Sequence, residues 1–449
     1  MRAVPRVVPL GRTGPLREWL PRFADARGLA LLEGAGADPG RFGWLAFDPL
    51  EHAPAPRSIA EIGTRLRALE LAPAQVPGPF AGGFLGALAY DLGAAGETRV
   101  ALPRDPWELP QLVGGFYTDF LVRDCASGEC WLALGDCARE ARVRARLDGP
   151  APALSLPRQA GPLVRHTSAA EHIARVERVR EDIAAGEYYQ ANLAHRFTRA
   201  VQGAPVAWFE RLARVNPAPY MGFLDFGAGA LLSASPELLL EVDGGLARSR
   251  PIKGTARRTA DARDDRALAR ALLESEKDRA ELAMIVDLVR NDLGRVARPG
   301  GVRVEGGFPR LESYAGVHHL LADVVAELAS GKDALDALAA LFPGGSITGA
   351  PKLASMAAIA REEREGRGFF SGSLGFQDVR GNACWNILIR TLVWRPRTGE
   401  RDAGEFSFHV GGGITWCSDA RAEEQETLLK AERLVATLEG EPERAEAGR

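Results

Sequence analysis

A mixed α+β fold is what the order of periodicities along this chain predicts. Groups of short apolar runs, spaced like hairpins, alternate with stretches whose apolar residues recur at helical spacing. No internal repeat and no low-complexity segment interrupts the alternation.

The strand-like runs come first. GLALLEG, RFGWLAFDP, GGFLGALAYDLG, GGFYTDFLVRD and ECWLALGD are each bounded by Gly, Pro or Asp, the residues that end strands. ASGE between Cys125 and Cys130 reads as a hairpin turn. Residues 1–146 therefore read as an N-terminal sheet region. The segment 147–163, LDGPAPALSLPRQAGPL, is too rich in proline and glycine to propagate a helix and reads as a linker. Region 164–440 then opens on a helix. Thr167 or Ser168 is its N-cap, with Glu171 a turn later. Ile173, Val176, Val179 and Ile183 form one apolar stripe, and Gly186 stops the helix. Strands are expected over 219–227, 229–245 and 245–255, and one long helix over 260–296. Further helices are expected over 333–342, 353–366 and 419–440, with strands over 367–378, 386–396 and 405–415. His318 and His319 fall at a predicted helix start, and 441–449 forms a tail.

The totals exclude several classes. A net charge of −3 on 449 residues lacks the basic excess of a nucleic-acid surface. No apolar run reaches transmembrane length, and the first residues lack a signal-peptide core, so no membrane association is expected. The 5 cysteines fit a reduced cytoplasm. Cys125, Cys130 and Cys137 form no CxxC pair and have no histidine nearby, so strand cysteines are preferred to a zinc site.

Five constellations could carry chemistry. Asp278 and Glu281 share one helix face, as do Glu423 and Glu426, with Lys430 a turn on. Two helices each offering acids could hold one hard dication such as Mg²⁺, and the bland alternative is two solvated faces. The loops FPGGSITGAPK and HVGGGIT would let backbone approach a ligand, or be tight turns only. Arg390 lies among strand residues, where a bound carboxylate would satisfy it unless it faces solvent. One of His318 and His319 could face a pocket or be a core residue. Glu237 stands sixteen residues before Lys253, so the two could meet on neighbouring strands as acid and nucleophile, or be unrelated surface charges.

Taken in order, PFAGGFLGALAYDLG, IAAGEYYQANLAHRF, SASPELLL, PIKGT, KDRAELAMIVDLVRNDLGRV, PGGSITGAPK, IRT and GGGIT resemble the chorismate-utilising enzymes nearly end to end. That family includes anthranilate synthase large subunits and component I of aminodeoxychorismate synthase. The resemblance implies two large packed antiparallel sheets with helices outside and a cleft between. It implies Glu281 and Glu426 as principal Mg²⁺ ligands, supported by Asp278 and Glu423. It puts Gly254, Thr255, Thr348, Gly349, Ala350, Phe376, Arg390, Gly411, Gly412, Gly413 and Lys430 at the substrate, chorismate, and His319 under its ring. Anthranilate synthases carry a small residue between PI and GT, whereas the aminodeoxychorismate enzymes carry lysine, as Lys253 does here. Amination of chorismate at C4, on the route to para-aminobenzoate and folate, is the implied reaction, with Lys253 as nucleophile and Glu237 as acid. No glutaminase is visible around Cys384 or Cys417, so the implied ammonia source is a separate glutamine amidotransferase subunit. The isochorismate and salicylate branches need a further base lysine that is not located here. A non-catalytic relative that senses chorismate or tryptophan is the remaining alternative. The chain departs from the family's pattern at Gly34, Leu282, Ala322, Phe376 and Cys384. Gly34 stands where many relatives have the serine of a tryptophan pocket, and Phe376 where a tyrosine hydroxyl often meets the substrate.

Overall fold

The computed structural model describes residues 4–34, 40–50, 56–94, 100–314, 316–398 and 400–439. The tail expected at 441–449 lies outside these residues. Two antiparallel sheets dominate. One, of 13 strands, runs from Arg6–Arg12 at one edge to Tyr220–Asp225, Ala230–Ser235, Thr391–Arg397, Glu400–Ile414, Gln190–Gln202 and the short Gly349–Ala350. The other, of 9 strands, runs from Ile252–Arg257 through Val317–Leu328, Leu246–Arg250, Leu238–Asp243, Ala383–Asn386 and Ser373–Asp378 to Gly83–Leu88 and Leu112–Tyr117. Both sheets draw strands from either side of residues 147–163. Within that segment Arg158–Gln159 pairs with the strand Gln190–Gln202.

The sheets face each other across a core that holds Trp44, Phe80, Phe120, Phe376, Leu85, Leu231, Leu374 and Leu388. Their outer faces are covered by helices, because each sheet has a second apolar face to bury. On the first sheet, Trp208 and Leu212 of Pro205–Val215 and Leu434 of Ala420–Glu439 pack with Phe406 and Phe408. On the second, Leu282 and Ile285 of Glu276–Gly294 and Leu338 of Ala334–Leu341 pack with Leu320 and Val324. No described helix is long and apolar enough to cross a membrane.

Local signals place several elements as expected. Ser168 is the N-cap of Ala169–Ala184 and accepts from Glu171 N at 3.2 Å. The turn between Cys125 and Cys130 joins Phe120–Asp124 to Glu129–Leu134 as an antiparallel hairpin. Other expectations are corrected. The single helix over 260–296 is two, Ala262–Glu274 and Glu276–Gly294. They break at Ser275, whose backbone is extended and whose Oγ caps the second helix by accepting from Asp278 N at 3.3 Å. His318 and His319 are not at a helix start. They begin the strand Val317–Leu328, which is covered on both faces and therefore lacks the apolar–polar alternation of a half-buried strand. The strand expected over 386–396 is interrupted at Ile387–Arg390, where the chain crosses from the second sheet to the first. A crossing in the reverse direction occupies the residues between Ser235 and Leu238. These two crossings position the candidate site.

Candidate active site

The crossing after Ser235 presents Glu237, and hydrogen bonds to the second crossing fix it. Ser235 Oγ donates to Ile387 O at 2.6 Å, and Ile387 N donates to Glu237 O at 3.0 Å. The Glu237 side chain is 4% exposed. Burial pushes its carboxyl up to about 7, against the Ser346 hydroxyl, the Lys253 charge, the Ile252 amide and Arg390, which all favour the carboxylate. Ile252 N approaches Oε1 at 3.4 Å. A carboxyl poised near neutrality in a buried pocket has the properties of a general acid.

Lys253 comes in from the edge strand Ile252–Arg257. The ladder with Val317–Leu328 slips between Lys253 and Thr255, at Gly254, whose φ is 72°. That bulge redirects the strand. A Cβ at Gly254 would come within 3.0 Å of Asp278 Cβ, so glycine also lets the strand approach the start of the helix Glu276–Gly294. Lys253 Nζ donates to Ser346 O at 3.1 Å. Desolvation lowers the amine's pKa, and the charges of Glu281 and Glu237 partly oppose the shift. The neutral, nucleophilic form is thereby brought closer to physiological pH.

Opposite Lys253 lies the glycine run of Glu400–Ile414, paired with Gln190–Gln202. A Cβ at Gly413 would sit 2.0 Å from Gln190 Nε2 and 3.4 Å from Lys253 Nζ, and one at Gly412 would sit 3.0 Å from Glu423 Oε2. The glycines therefore hold open the space that the amine, the amide and the acids share. Gly411 offers its carbonyl, which accepts from Lys430 Nζ at 2.9 Å. Gln190 is 0% exposed, and neither amide atom has a hydrogen-bond partner among the described residues. The sequence gives Gln190 no distinguishing signal, because its strand QANLAHRFTRAVQ holds several other polar residues and only the fold shows which of them faces Lys253. Gly413→Ala is expected to fold and to lose most turnover, because the methyl group fills this space and must displace the Gln190 amide. Matched thermal melts and initial rates check it.

His319 and Arg390 close the pocket. His319 Nδ1 hydrogen-bonds Thr255 Oγ1 at 3.0 Å, while Nε2 is buried without a partner. Burial, with Arg390 adding, holds its pKa at about 3, so it is a neutral imidazole. Arg390 sits at φ 51° in the crossing loop. Burial, with Arg433 adding, lowers its guanidinium to about 10. Among the described residues it has no side-chain hydrogen bond or ion pair, so a half-buried, desolvated cation is left for an anionic ligand.

The four acids come from two helices. Lys277 Nζ lies 4.0 Å from Glu281 Oε1 and 3.9 Å from Glu423 Oε1, so an ammonium already stands between acids of different helices. Burial raises the pKa of both Glu281 and Glu423. Asp278 and Glu423 charges add to the shift at Glu281. Ser418 Oγ donates to Glu423 Oε1 at 2.7 Å, and Ser275 Oγ to Asp278 Oδ2 at 2.5 Å. Glu426 is exposed and pairs with Lys430 at 2.8 Å, and that charge outweighs partial desolvation and holds its carboxyl below the usual range. The donors are all oxygen, the kind Mg²⁺ takes, but among the described residues these acids do not stand close enough together to hold an ion without moving.

Not every expected residue joins the pocket through its side chain. Thr348 is fully buried and its Oγ1 donates to Gly344 O at 2.9 Å, so it offers backbone only. Gly349 and Ala350 pair with Ala191 and Gln190, and at Gly349 a Cβ would strike Gln190 O at 2.0 Å. Phe376 lies elsewhere: its ring packs on Trp44 and Phe80, both at 5.1 Å, because its strand turns it into the core between the sheets. There it lines a second cavity of about 540 Å³ together with Glu33, Gly34 and Arg380.

A buried acid, a desolvated amine, an unpaired guanidinium and acids from two helices are gathered here, groups able to hold a carboxylate and to move a proton. Residues 46–436 match the family model described as chorismate binding enzyme, and the chain belongs to that family. It is 39% identical over 364 residues to aminodeoxychorismate synthase component 1 of Klebsiella aerogenes, covering 80% of this chain and 78% of that one. It is also 39% identical over 392 residues to anthranilate synthase component 1 of Streptomyces coelicolor, covering 81% and 75%. Among solved structures, anthranilate synthase component I from Streptococcus pneumoniae superposes with a TM-score of 0.77 at 29% identity, covering 89% of this chain and 93% of that one.

Proposed function

We propose that this chain aminates chorismate at C4, giving 4-amino-4-deoxychorismate, as the component I activity of aminodeoxychorismate synthase. The observation that carries the reading is the desolvated amine of Lys253, which shares its pocket with a carboxyl of pKa about 7. A small residue there would leave no nucleophile.

The route balances as two displacements. Neutral Lys253 Nζ forms a bond to C2, the two conjugated ring double bonds shift, and the C4 hydroxyl leaves as water with the proton of Glu237. Ammonia then bonds to C4, both double bonds return, and the C2–N bond breaks. The adduct nitrogen is still protonated when that bond breaks, so the lysine departs as a neutral amine, and the surplus proton of the new C4 ammonium passes to the Glu237 carboxylate. Two such steps keep the new amine on the face the hydroxyl left. Arg390 and the backbone of the glycine run orient substrate carboxylates, and neutral His319 lies against the ring. Glu281, Glu426, Glu423 and Asp278 would hold Mg²⁺, which when bound would neutralise a substrate carboxylate beside these acids.

Ammonia would come from a separate glutamine amidotransferase subunit. In support, Cys384 is half-buried and its desolvation pushes the thiol far above the usual range, and Cys417 is exposed with no catalytic partners among the described residues. The competing reading is anthranilate formation, which the Streptomyces coelicolor relative keeps in view at the same identity. Mass spectrometry of the product from chorismate, Mg²⁺ and ammonium tests both. An aminated product that retains its enolpyruvyl group is expected. Fluorescent anthranilate plus pyruvate would overturn the proposal, and turnover with glutamine alone would remove the need for a partner.

A further inference from the structure

One residue along the same helix from Glu423, a different set of ligating side chains meets in the core. His172 comes from the helix Ala169–Ala184, His195 from the strand Gln190–Gln202 and Glu424 from Ala420–Glu439. They are 0%, 2% and 5% exposed. One ring nitrogen of each histidine and one Glu424 oxygen lie within 4.8 Å of one another. Donors on a common tetrahedral dication sit about 3.3 Å apart, given bonds of about 2.0–2.1 Å, so a small closure suffices.

Three of the four ring nitrogens of this cluster have no hydrogen-bond partner among the described residues. His172 Nδ1 is 2.9 Å from Glu424 Oε2, yet it is not aligned for a hydrogen bond, and neither ring nitrogen of His172 has a hydrogen-bond partner. Burial lowers the His172 pKa, the Glu424 carboxylate beside it opposes that shift, and a ring nitrogen and a carboxylate oxygen at this distance are also close enough to share one ion as ligands. His195 is fixed differently. Thr427 Oγ1 donates to Glu424 O at 2.8 Å, so it accepts from His195 Nε2 at 3.0 Å. That assigns the proton to Nε2 and leaves Nδ1 a bare, unpartnered lone pair. Burial keeps both imidazoles in the neutral form that ligates metals, His195 with a pKa of about 3. Glu424 is held from outside by Arg165, at 2.7 and 2.9 Å. Metal-binding carboxylates and imidazoles are ordinarily braced by such outer hydrogen bonds. Of the nearby cations, Arg165 is paired with Glu424 and Arg175 with Glu171, so their charge is already compensated.

We propose that His172, His195 and Glu424 form a site for a borderline dication of the zinc class, separate from the acid set facing Lys253. Two imidazole nitrogens and one carboxylate suit Zn²⁺, whereas Mg²⁺ prefers oxygen donors throughout. The ion joins three elements and ties the helix bearing Glu423 and Glu426 to the strand bearing Gln190. The proposal does not depend on which reaction of chorismate the chain performs.

The test uses the full chain expressed in zinc-supplemented medium, with Cys137 and Cys417 alkylated after purification. Anomalous diffraction at the zinc edge is expected to show a peak bounded by the three side chains. Titration with Zn²⁺ in excess Mg²⁺ is expected to give one tight equivalent, lost in His172→Gln/His195→Gln and weakened about 100-fold or more in Glu424→Gln. No peak at saturating zinc overturns the site, as does an unchanged equivalent in the double variant. If that variant fails to fold, the diffraction result on the unaltered chain decides.

Discussion

Lys253→Ala is expected to lower ammonia-dependent turnover by about 10³-fold or more, the scale of losing a member of a covalent machinery. The fold should survive. The side chain makes one hydrogen bond, to Ser346 O, and a desolvated amine adds little to stability. No nearby lysine replaces it: Lys430 is bound to Glu426 at 2.8 Å and to Gly411 O at 2.9 Å. Lys253→Arg keeps the charge but has no free amine, so it should be as inactive as the alanine variant. Product analysis with a thermal melt checks both. Full activity in either variant rules out the covalent route.

Glu237→Gln is expected to cost about 10²–10⁴-fold in kcat, the usual range for a general acid. Its pH profile carries a second signature. The acid must be protonated to act, so kcat/KM should fall as pH rises through about 7, and that limb should vanish in the glutamine variant. Wild-type stability should fall over the same pH range. Burial raises the carboxyl from 4.5 to about 7, so the native state holds this proton more tightly than the unfolded chain does. The resulting stabilisation is fully present below pH 4.5 and is lost as pH rises through about 7. Above that pH the wild type carries a buried carboxylate at a cost of up to about 3 kcal/mol, which the neutral amide avoids. Glu237→Gln should therefore melt higher than wild type at pH 8, and the gain should shrink towards pH 5. A variant that is both less stable and still active contradicts this role.

The residues that announced themselves in the sequence did so through local chemistry. Ser168 and Glu171 mark a helix start because a cap is satisfied within one turn. Lys253 and Glu237 stood out because motif order, not periodicity, set them together. What failed depended on distant partners. The strand Val317–Leu328 is buried on both faces, so its apolar run has no period of two and passes for a helix. The strand Ala297–Ser313 was not expected, because ARPGGVRVEGGFPRLES is broken by glycine and proline that bulges and an outer position in the ladder accommodate. The helix Pro205–Val215 was missed although proline sits at its first turn, as start signals predict. Gln190 and the His172–His195–Glu424 cluster join residues far apart in sequence, so no spacing rule could reach them.

The most direct measurement of the central claim is peptide mass spectrometry of the chain quenched after mixing with chorismate and Mg²⁺ in ammonia-free buffer. The account predicts that the peptide containing Lys253 gains the mass of chorismate less one water, and that added ammonium discharges the adduct as 4-amino-4-deoxychorismate. An unmodified Lys253 at every quench time, in enzyme that aminates chorismate once ammonium is supplied, would contradict it.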